Sequence, residues 1–390
     1  MRRHDGRSFV RAGLFILALL LLPLGPILAT KATLVPVTRV SASAEPASRS
    51  GIEAAAKRHK KKKCRKKSQA QSDTHVDGEH KKKRKKCPNP PGPTSEVMLA
   101  VGDIALCTGE SLTNLQASAG YINGTPGTVA VLGDLVYPNG EPDKFKDCYG
   151  KYYGPFVNRT YPTPGNHEYY YNCSKTGPWP SPCTAAPYFD WFKAQAGVPA
   201  VVQGMQIGEG WYSYELGNWN IYVLNSSGSE PNGAACGWVK CNSGSAQYKW
   251  LQAELAKDQK AGSCALAYWH HPLFNSGNKG ASTDVKDFWQ LLYQANAELV
   301  LNGHQHMYER FAPQTPNGVS DPQRGIREFI VGTGGAELNQ STPAGIANSQ
   351  ARIAKTVGVL QLTLRQNGYD FAFVDSKTGA VLDSGSGSCH

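Results

Sequence analysis

Between residues 97 and 306 the chain returns five times to one local pattern: a short apolar run or a glycine turn that stops at a carboxylate, amide or imidazole. The clearest instance is Thr128-Val129-Ala130-Val131-Leu132 followed by Gly133-Asp134-Leu135-Val136-Tyr137. A β-branched run ending in Gly-Asp reads as a buried strand that delivers its carboxylate to the loop beyond. Tyr137 meets the same point if the chain turns there. The other instances are Gly102-Asp103, Gly165-Asn166-His167-Glu168, His270-His271-Pro272 and Gly303-His304-Gln305-His306. In open α/β sheets ligands collect just past the carboxyl ends of the strands, so a fold that satisfies this pattern brings five strand ends to one place.

A single histidine at such a position is ordinarily a hydrogen-bonded core residue. Here His167, His270, His271, His304 and His306 fill three of the five positions, while the remaining histidines stand at 4, 59, 75, 80 and 390. A mixture of imidazole and oxygen donors suits Zn, Mn or Fe rather than Ca or a thiolate-bound metal. The five loops therefore read as gathered around two metal ions.

Further elements follow from periodicity. Strands are predicted over 97–101, 128–132, 220–224, 264–269 and 298–301, then over 328–331, 357–363 and 369–374. Helices are predicted over 111–119, 247–257 and 285–295. The first strand–helix–strand order predicts a parallel pair with a right-handed crossover. Residues 138–218, rich in Gly, Pro, Tyr and Trp, carry little periodicity. Mixed units followed by strands predict an α/β domain over 97–390, a two-sheet β-sandwich flanked by helices.

The net charge of +11 divides unevenly. Residues 1–96 hold 22 Lys+Arg against 7 Asp+Glu, a net of +15, which leaves 19 against 23, a net of −4, for the rest. A nucleic-acid-binding face would put the basic stripe on the folded domain, so no specific nucleic-acid partner is expected.

Residues 1–30 begin with Arg2, Arg3, Arg7 and Arg11 and continue into an apolar run to Leu22 with small residues near Ala29. That is a signal-peptide pattern. The alternative, an uncleaved anchor, needs about 20 apolar residues, and Pro23 and Pro26 interrupt the run. The protein is expected to be secreted or extracytoplasmic. Residues 31–96 are read as a disordered Lys-rich linker, with lysine blocks at 57–67 and 81–86, because like charges repel and stay solvated. This segment is either an electrostatic tether to an anionic envelope or membrane surface or a solvating linker that touches nothing in particular.

The ten cysteines include no C-x-x-C pair, and an even count behind an export signal favours disulfides. Close spacing nominates Cys173–Cys183 and Cys236–Cys241, with Cys64–Cys87 clipping the basic segment; the remaining connectivity stays open.

Taken in order, Gly102-Asp103, Gly133-Asp134-x-x-Tyr137, Gly165-Asn166-His167-Glu168, His270 ahead of Pro272, and Gly303-His304-x-His306-x-Tyr308-Glu309-Arg310 resemble the five blocks of the calcineurin-like metallophosphoesterases. Within that superfamily they are most similar to the purple acid phosphatases. Most of the superfamily has a histidine two residues after the first aspartate, where this chain has Ala105, and the phosphatase group supplies a tyrosine at the position of Tyr137. Ala105 itself departs from the glycine usual in that group. The large sandwich domain that precedes the catalytic domain in longer plant-type forms has no expected counterpart here.

The resemblance implies the αββα metallophosphoesterase fold with a single catalytic domain. It implies one metal held by Asp103, Tyr137 and His306 and a second by Asn166, His270 and His304, with Asp134 bridging. Two carboxylates and a phenolate suit Fe(III) at the first site, and neutral donors suit a divalent ion (Zn, Fe or Mn) at the second. Two ions about 3.5–4 Å apart clamp the attacking and leaving oxygens of an in-line displacement. A metal-bound hydroxide would attack phosphorus directly, with no phosphoenzyme. His167 is the expected catalytic residue, orienting the phosphate or protonating the leaving oxygen. Asn166, His167 and His271 are the expected substrate contacts. Glu168 is expected either to position His167 or to be a surface glutamate in a turn. The expected substrate is a phosphate monoester. The alternatives are a phosphodiester or nucleotide, and a surface-binding protein whose site is vestigial.

Overall fold

The structure, a computed structural model, describes residues 95–171, 184–227, 236–237, 239–258 and 262–390. The signal-peptide reading and the linker reading up to residue 94, with Cys64–Cys87 and Cys173–Cys183, fall outside the described residues; Ser95 and Glu96, given to the linker, already belong to the first strand. Among the described residues no helix is long and apolar enough to cross a membrane.

In chain order the strands begin with β1 (Ser95–Val101), β2 (Thr128–Leu132), β3 (Thr160–Thr163), β4 (Tyr212–Leu216) and β5 (Trp219–Val223). They continue with β6 (Cys264–Tyr268), β7 (Leu299–Asn302), β8 (Tyr308–Phe311), β9 (Arg327–Val331) and β10 (Ser349–Ile353). The last three are β11 (Gly358–Arg365), β12 (Gly368–Asp375) and β13 (Val381–Ser388). The longer helices are α1 (Gly109–Gly124), α2 (Ala186–Ala194), α3 (Ala246–Lys257) and α4 (Lys286–Gln294).

Two sheets form, a six-stranded one in the order β13-β12-β11-β1-β2-β3 and a seven-stranded one in the order β10-β8-β9-β7-β6-β5-β4. The expected parallel pairing of β1 with β2 is present, with Leu99 opposite Val129. β5, β6, β7 and β9 are likewise parallel. Parallel strands covered on both faces read as near-continuous apolar runs, which is how β2 and β6 are written.

Side chains along these strands enter two different cores by turns, as a pleated sheet requires. Ile221, Val223, Leu266, Tyr268, Leu299 and Leu301 join Leu99 and Val129 in one core shared by the two sheets. The intervening Tyr222, Ala267 and Val300 pack on Leu251 and Leu255 of α3 and Phe288, Trp289 and Leu292 of α4. The arrangement is the expected helix-flanked two-sheet sandwich.

One difference from the sequence reading stands out. The described part of 138–218 forms helical turns, β3, α2 and β4, held by ring contacts such as Tyr149 with Tyr153 at 5.1 Å and Tyr161 with Tyr214 at 4.0 Å. Aromatic packing of this kind leaves no 3.6-residue signature. The C-terminal strands join both sheets, β11 pairing antiparallel with β1 in the first and β9 parallel with β7 in the second. Disulfides join Cys107 to Cys148, Cys236 to Cys241 and Cys264 to Cys389. Of these only Cys236–Cys241 was predictable from spacing.

Candidate metal centre

The carboxyl ends of five parallel strands meet where the two sheets face each other. β1 leads into Asp103, β2 into Asp134, β3 into Asn166, β6 into His270 and β7 into His304. Backbone hydrogen bonds lock these ends together, from Asp103 N to Gly133 O at 3.0 Å, Gly102 N to Val331 O at 2.8 Å and Gly303 N to His270 O at 3.0 Å.

Asp103, Asp134 and His304 all adopt left-handed backbone conformations, with φ of 59°, 51° and 70°. Such conformations cost about 1–3 kcal/mol each outside glycine and persist only where the surroundings over-determine them. Here His304 N donates to Asp103 Oδ2 at 2.8 Å and His167 N donates to Asp134 Oδ1 at 2.9 Å. The motif glycines are a matter of space. A Cβ on Gly133 (φ 85°) would stand 2.5 Å from His270 Nδ1, and one on Gly303 would stand 2.7 Å from Asp103 Oδ2.

The seven residues named as metal ligands converge. The Tyr137 hydroxyl lies 2.8 Å from Asp103 Oδ1, 2.9 Å from Asp134 Oδ2 and 3.1 Å from His306 Nε2. His306 Nε2 is 3.1 Å from Asp103 Oδ1, and His270 Nε2 is 3.1 Å from Asp134 Oδ2. On the other side His270 Nε2 lies 3.1 Å from Asn166 Oδ1 and 3.3 Å from His304 Nδ1. Asp134 is thus the carboxylate between an Asp103–Tyr137–His306 group and an Asn166–His270–His304 group. The ring orientations are fixed from behind, His270 Nδ1 on Leu132 O at 2.8 Å and His306 Nδ1 on Glu337 O.

The electrostatics fit cations. Burial works to raise both aspartates, yet the facing imidazoles outweigh it, so Asp103 lies below and Asp134 well below the usual carboxylate range. Burial works to discharge His270, but Asp134 reverses this and raises the imidazole to about 9. Burial, then the two carboxylates, push the Tyr137 phenol well above its ordinary value. Burial, with His271 and His270 beside it, holds His304 well below the ordinary imidazole value. Buried carboxylates here stay ionised by drawing positive charge onto a neighbouring ring, a demand that bound metal ions would meet directly. Ligand atoms of Asp103, Asp134 and His270, and separately of His270, His271 and His304, come within 4.8 Å of one another, two groups that share His270. A third such group, Cys264, Glu298 and Cys389, has its two sulfurs committed to a disulfide.

The other named residues are placed as follows. His167 sits at the rim with Nδ1 on Pro138 O, its ring 4.1 Å from that of Tyr137 and its Nε2 3.8 Å from Asp134 Oδ2. Asn166 also donates to Tyr170 Oη at 2.8 Å. His271 is buried, with Nδ1 2.9 Å from Ser226 Oγ and its ring 4.5 Å from His304, so it backs the second group rather than facing the rim.

Glu168 corrects both expectations for it. It is 1% exposed and turns away from His167 to accept four backbone N–H groups, from Leu135 at 2.8 Å, Val136 at 3.1 Å, Asp134 at 3.0 Å and Gly165 at 2.6 Å. It ties the Asp134 loop to the Asn166 loop. Lys279, whose Nζ lies 3.1 Å from His306 Nε2, escaped the sequence reading. Its only signal was a Gly-bearing loop, Asn275-Ser276-Gly277-Asn278-Lys279-Gly280, just after His270-His271-Pro272.

A family model described as calcineurin-like phosphoesterase matches residues 72–308. Acid phosphatase A of Cryphonectria parasitica is 27% identical over 190 residues, covering 45% of this chain and 38% of that protein. Purple acid phosphatase 22 of Arabidopsis thaliana is 26% identical over 226 residues, covering 56% and 46%. The chain therefore spans less than half the length of these curated relatives. Among solved structures, purple acid phosphatase PPD1 from yellow lupin (Lupinus luteus) seeds shares the fold with a TM-score of 0.58 at 19% identity, covering 77% of this chain and 55% of that one. GAP50, the anchor in the inner membrane complex of Plasmodium, shares it with a TM-score of 0.56 at 15% identity, covering 76% and 90%.

Proposed function

The chain belongs to the calcineurin-like phosphoesterase family, as a purple acid phosphatase-like member, and from that premise we propose that it is a secreted phosphatase that hydrolyses phosphate monoesters at a dinuclear metal centre. The observation that carries this reading is the convergence of Asp103, Asp134, Tyr137, Asn166, His270, His304 and His306, with Asp134 Oδ2 within 3.1 Å of both the Tyr137 hydroxyl and His270 Nε2. Asp103, Tyr137 and His306 would hold one ion, Asn166, His270 and His304 the other, and Asp134 would bridge. When bound, the pair supplies Lewis acidity and an acidified water at the phosphorus.

The chain's own residues supply the rest. Leu132 O and Glu337 O fix the imidazoles of His270 and His306, the kind of support that tunes a metal site. Pro138 O holds His167 so that Nε2 faces the cluster, where it is placed to orient the phosphate or hand a proton to the leaving oxygen. Burial lowers the His167 pKa below its ordinary value, so Nε2 carries a proton chiefly in acid solution and there gives it up readily. The donor set is complete, which weighs against a vestigial site.

Purified protein is expected to carry iron and a visible phenolate-to-Fe(III) absorption band that Tyr137→Phe abolishes. Colourless protein holding two zinc ions would remove iron from the proposal and leave the hydrolase. The lysine blocks are proposed to tether the enzyme to an anionic surface. Deleting residues 57–87 is then expected to leave turnover of a soluble ester unchanged and to lower retention on anionic vesicles; unchanged retention would make the segment a plain linker.

A further inference from the structure

We propose that Lys279 recognises the third terminal oxygen of a phosphate monoester and thereby selects monoesters over diesters. This deepens the phosphatase reading and rests on it. Lys279 Nζ lies 3.1 Å from His306 Nε2, the nitrogen that is itself 3.1 Å from Asp103 Oδ1 and from the Tyr137 hydroxyl. Among the described residues it is the one Lys or Arg side chain bonded to a donor atom of the cluster.

A surface lysine on a loose loop would be a solvated bystander, but this loop is built. Ser282 N donates to Pro272 O at 3.0 Å and closes its base. Asn275 Nδ2 donates to Gly280 O, spanning it. The buried carboxylate of Glu309 accepts from Ser276 N at 2.8 Å and from Ser276 Oγ, and the buried Glu328 accepts from Leu273 N at 3.2 Å. Gly277 lies so close to Gln305, between the two histidines of the last block, that a Cβ there would overlap the amide. Leu273 and Phe274 root the segment in the helix-side core, two buried carboxylates hold its backbone (Glu309 accepting from Ser349 Oγ as well), and what it presents to the site is an ammonium.

The chemistry of that placement is selective. If the ion pair takes two phosphoryl oxygens, a monoester still has a charged terminal oxygen to place, whereas a diester has a neutral ester oxygen there. A charge-assisted hydrogen bond to the ammonium stabilises the first and gains little from the second. Glu309 is the positioning residue that aims the loop.

The test uses the metal-loaded full chain with Lys279→Met and Lys279→Arg, and it reads binding as well as turnover. Orthophosphate binding by calorimetry is expected to weaken about tenfold or more in Lys279→Met, while dimethyl phosphate binding stays within about twofold. The kcat/KM ratio of 4-nitrophenyl phosphate to bis(4-nitrophenyl) phosphate should fall by about the same factor, with bound metal unchanged and much of the loss restored in Lys279→Arg. Glu309→Gln should shift that ratio in the same direction by less. Equal losses on both ligands, or no change on either, would overturn the proposal. A wild-type protein that loads two metals yet hydrolyses neither ester would instead overturn the phosphatase reading, and this proposal with it.

Discussion

Asp134→Asn is expected to lower phosphate-ester turnover by about 10⁴-fold or more, because groups that act as one unit fail together when one is removed. Asp134 is fully buried, and its two oxygens meet the Tyr137 hydroxyl, His270 Nε2 and His167 N. An amide fills the same space and can still accept from His167 N, so the fold should hold. What it removes is the single negative charge placed between the two ligand groups. Metal analysis should find fewer than two ions per chain, and the metal-free melting temperature should move by only a few degrees. Two retained ions with near-normal turnover would refute the bridging role.

Glu168→Gln should do the reverse, striking the fold first. Each carboxylate oxygen accepts two backbone N–H groups, Oε1 from Leu135 and Val136 and Oε2 from Asp134 and Gly165. Either orientation of a glutamine amide therefore sets its NH₂ against two buried donors. Leaving such groups unsatisfied costs about 2–4 kcal/mol. For a domain of this size that is a fall in melting temperature of roughly 3–7 °C. Since the same carboxylate ties the Asp134 loop to the Asn166 loop, metal affinity should also drop, by about 10–100-fold. A calorimetric scan of metal-free protein separates the two effects, and an unchanged melting temperature there would show that the four hydrogen bonds contribute little.

These two residues mark what the sequence can and cannot disclose. Asp134 was readable because a β-branched run, a glycine and an acid stand side by side in the chain. The same adjacency exposed Asp103, Asn166, His270, His304 and His306, and the strands behind them carry strong apolar patterns. Glu168 was recognised as part of a motif, but three of its four partners lie some thirty residues away in another loop, and no local pattern encodes that. Lys279 has the same difficulty, since only the folded loop brings its ammonium to His306.

The strands that escaped prediction have physical reasons too. β3 reads Thr-Tyr-Pro-Thr, with a proline where strands rarely tolerate one outside an edge, and it is the edge of its sheet. β13 reads Val-Leu-Asp-Ser-Gly-Ser-Gly-Ser and lies mostly exposed, so it has neither propensity nor burial to announce it. It exists because β12 offers a ladder to pair with, and because Tyr308 Oη and Arg310 Nε both donate to Asp383 at 2.7 Å.

The Cys264–Cys389 bridge gives that weakly rooted strand a second kind of anchorage. It welds the outermost ribbon of one sheet to the start of β6 in the other and encloses 125 positions of sequence, the class of long crosslink that most restricts an unfolded chain. In an oxidising milieu the far margin of the six-stranded sheet is therefore sealed. Where thiols are kept reduced, the same margin would rest on its ladder and on what Tyr308 and Arg310 donate to Asp383, well away from the strand ends that carry the chemistry.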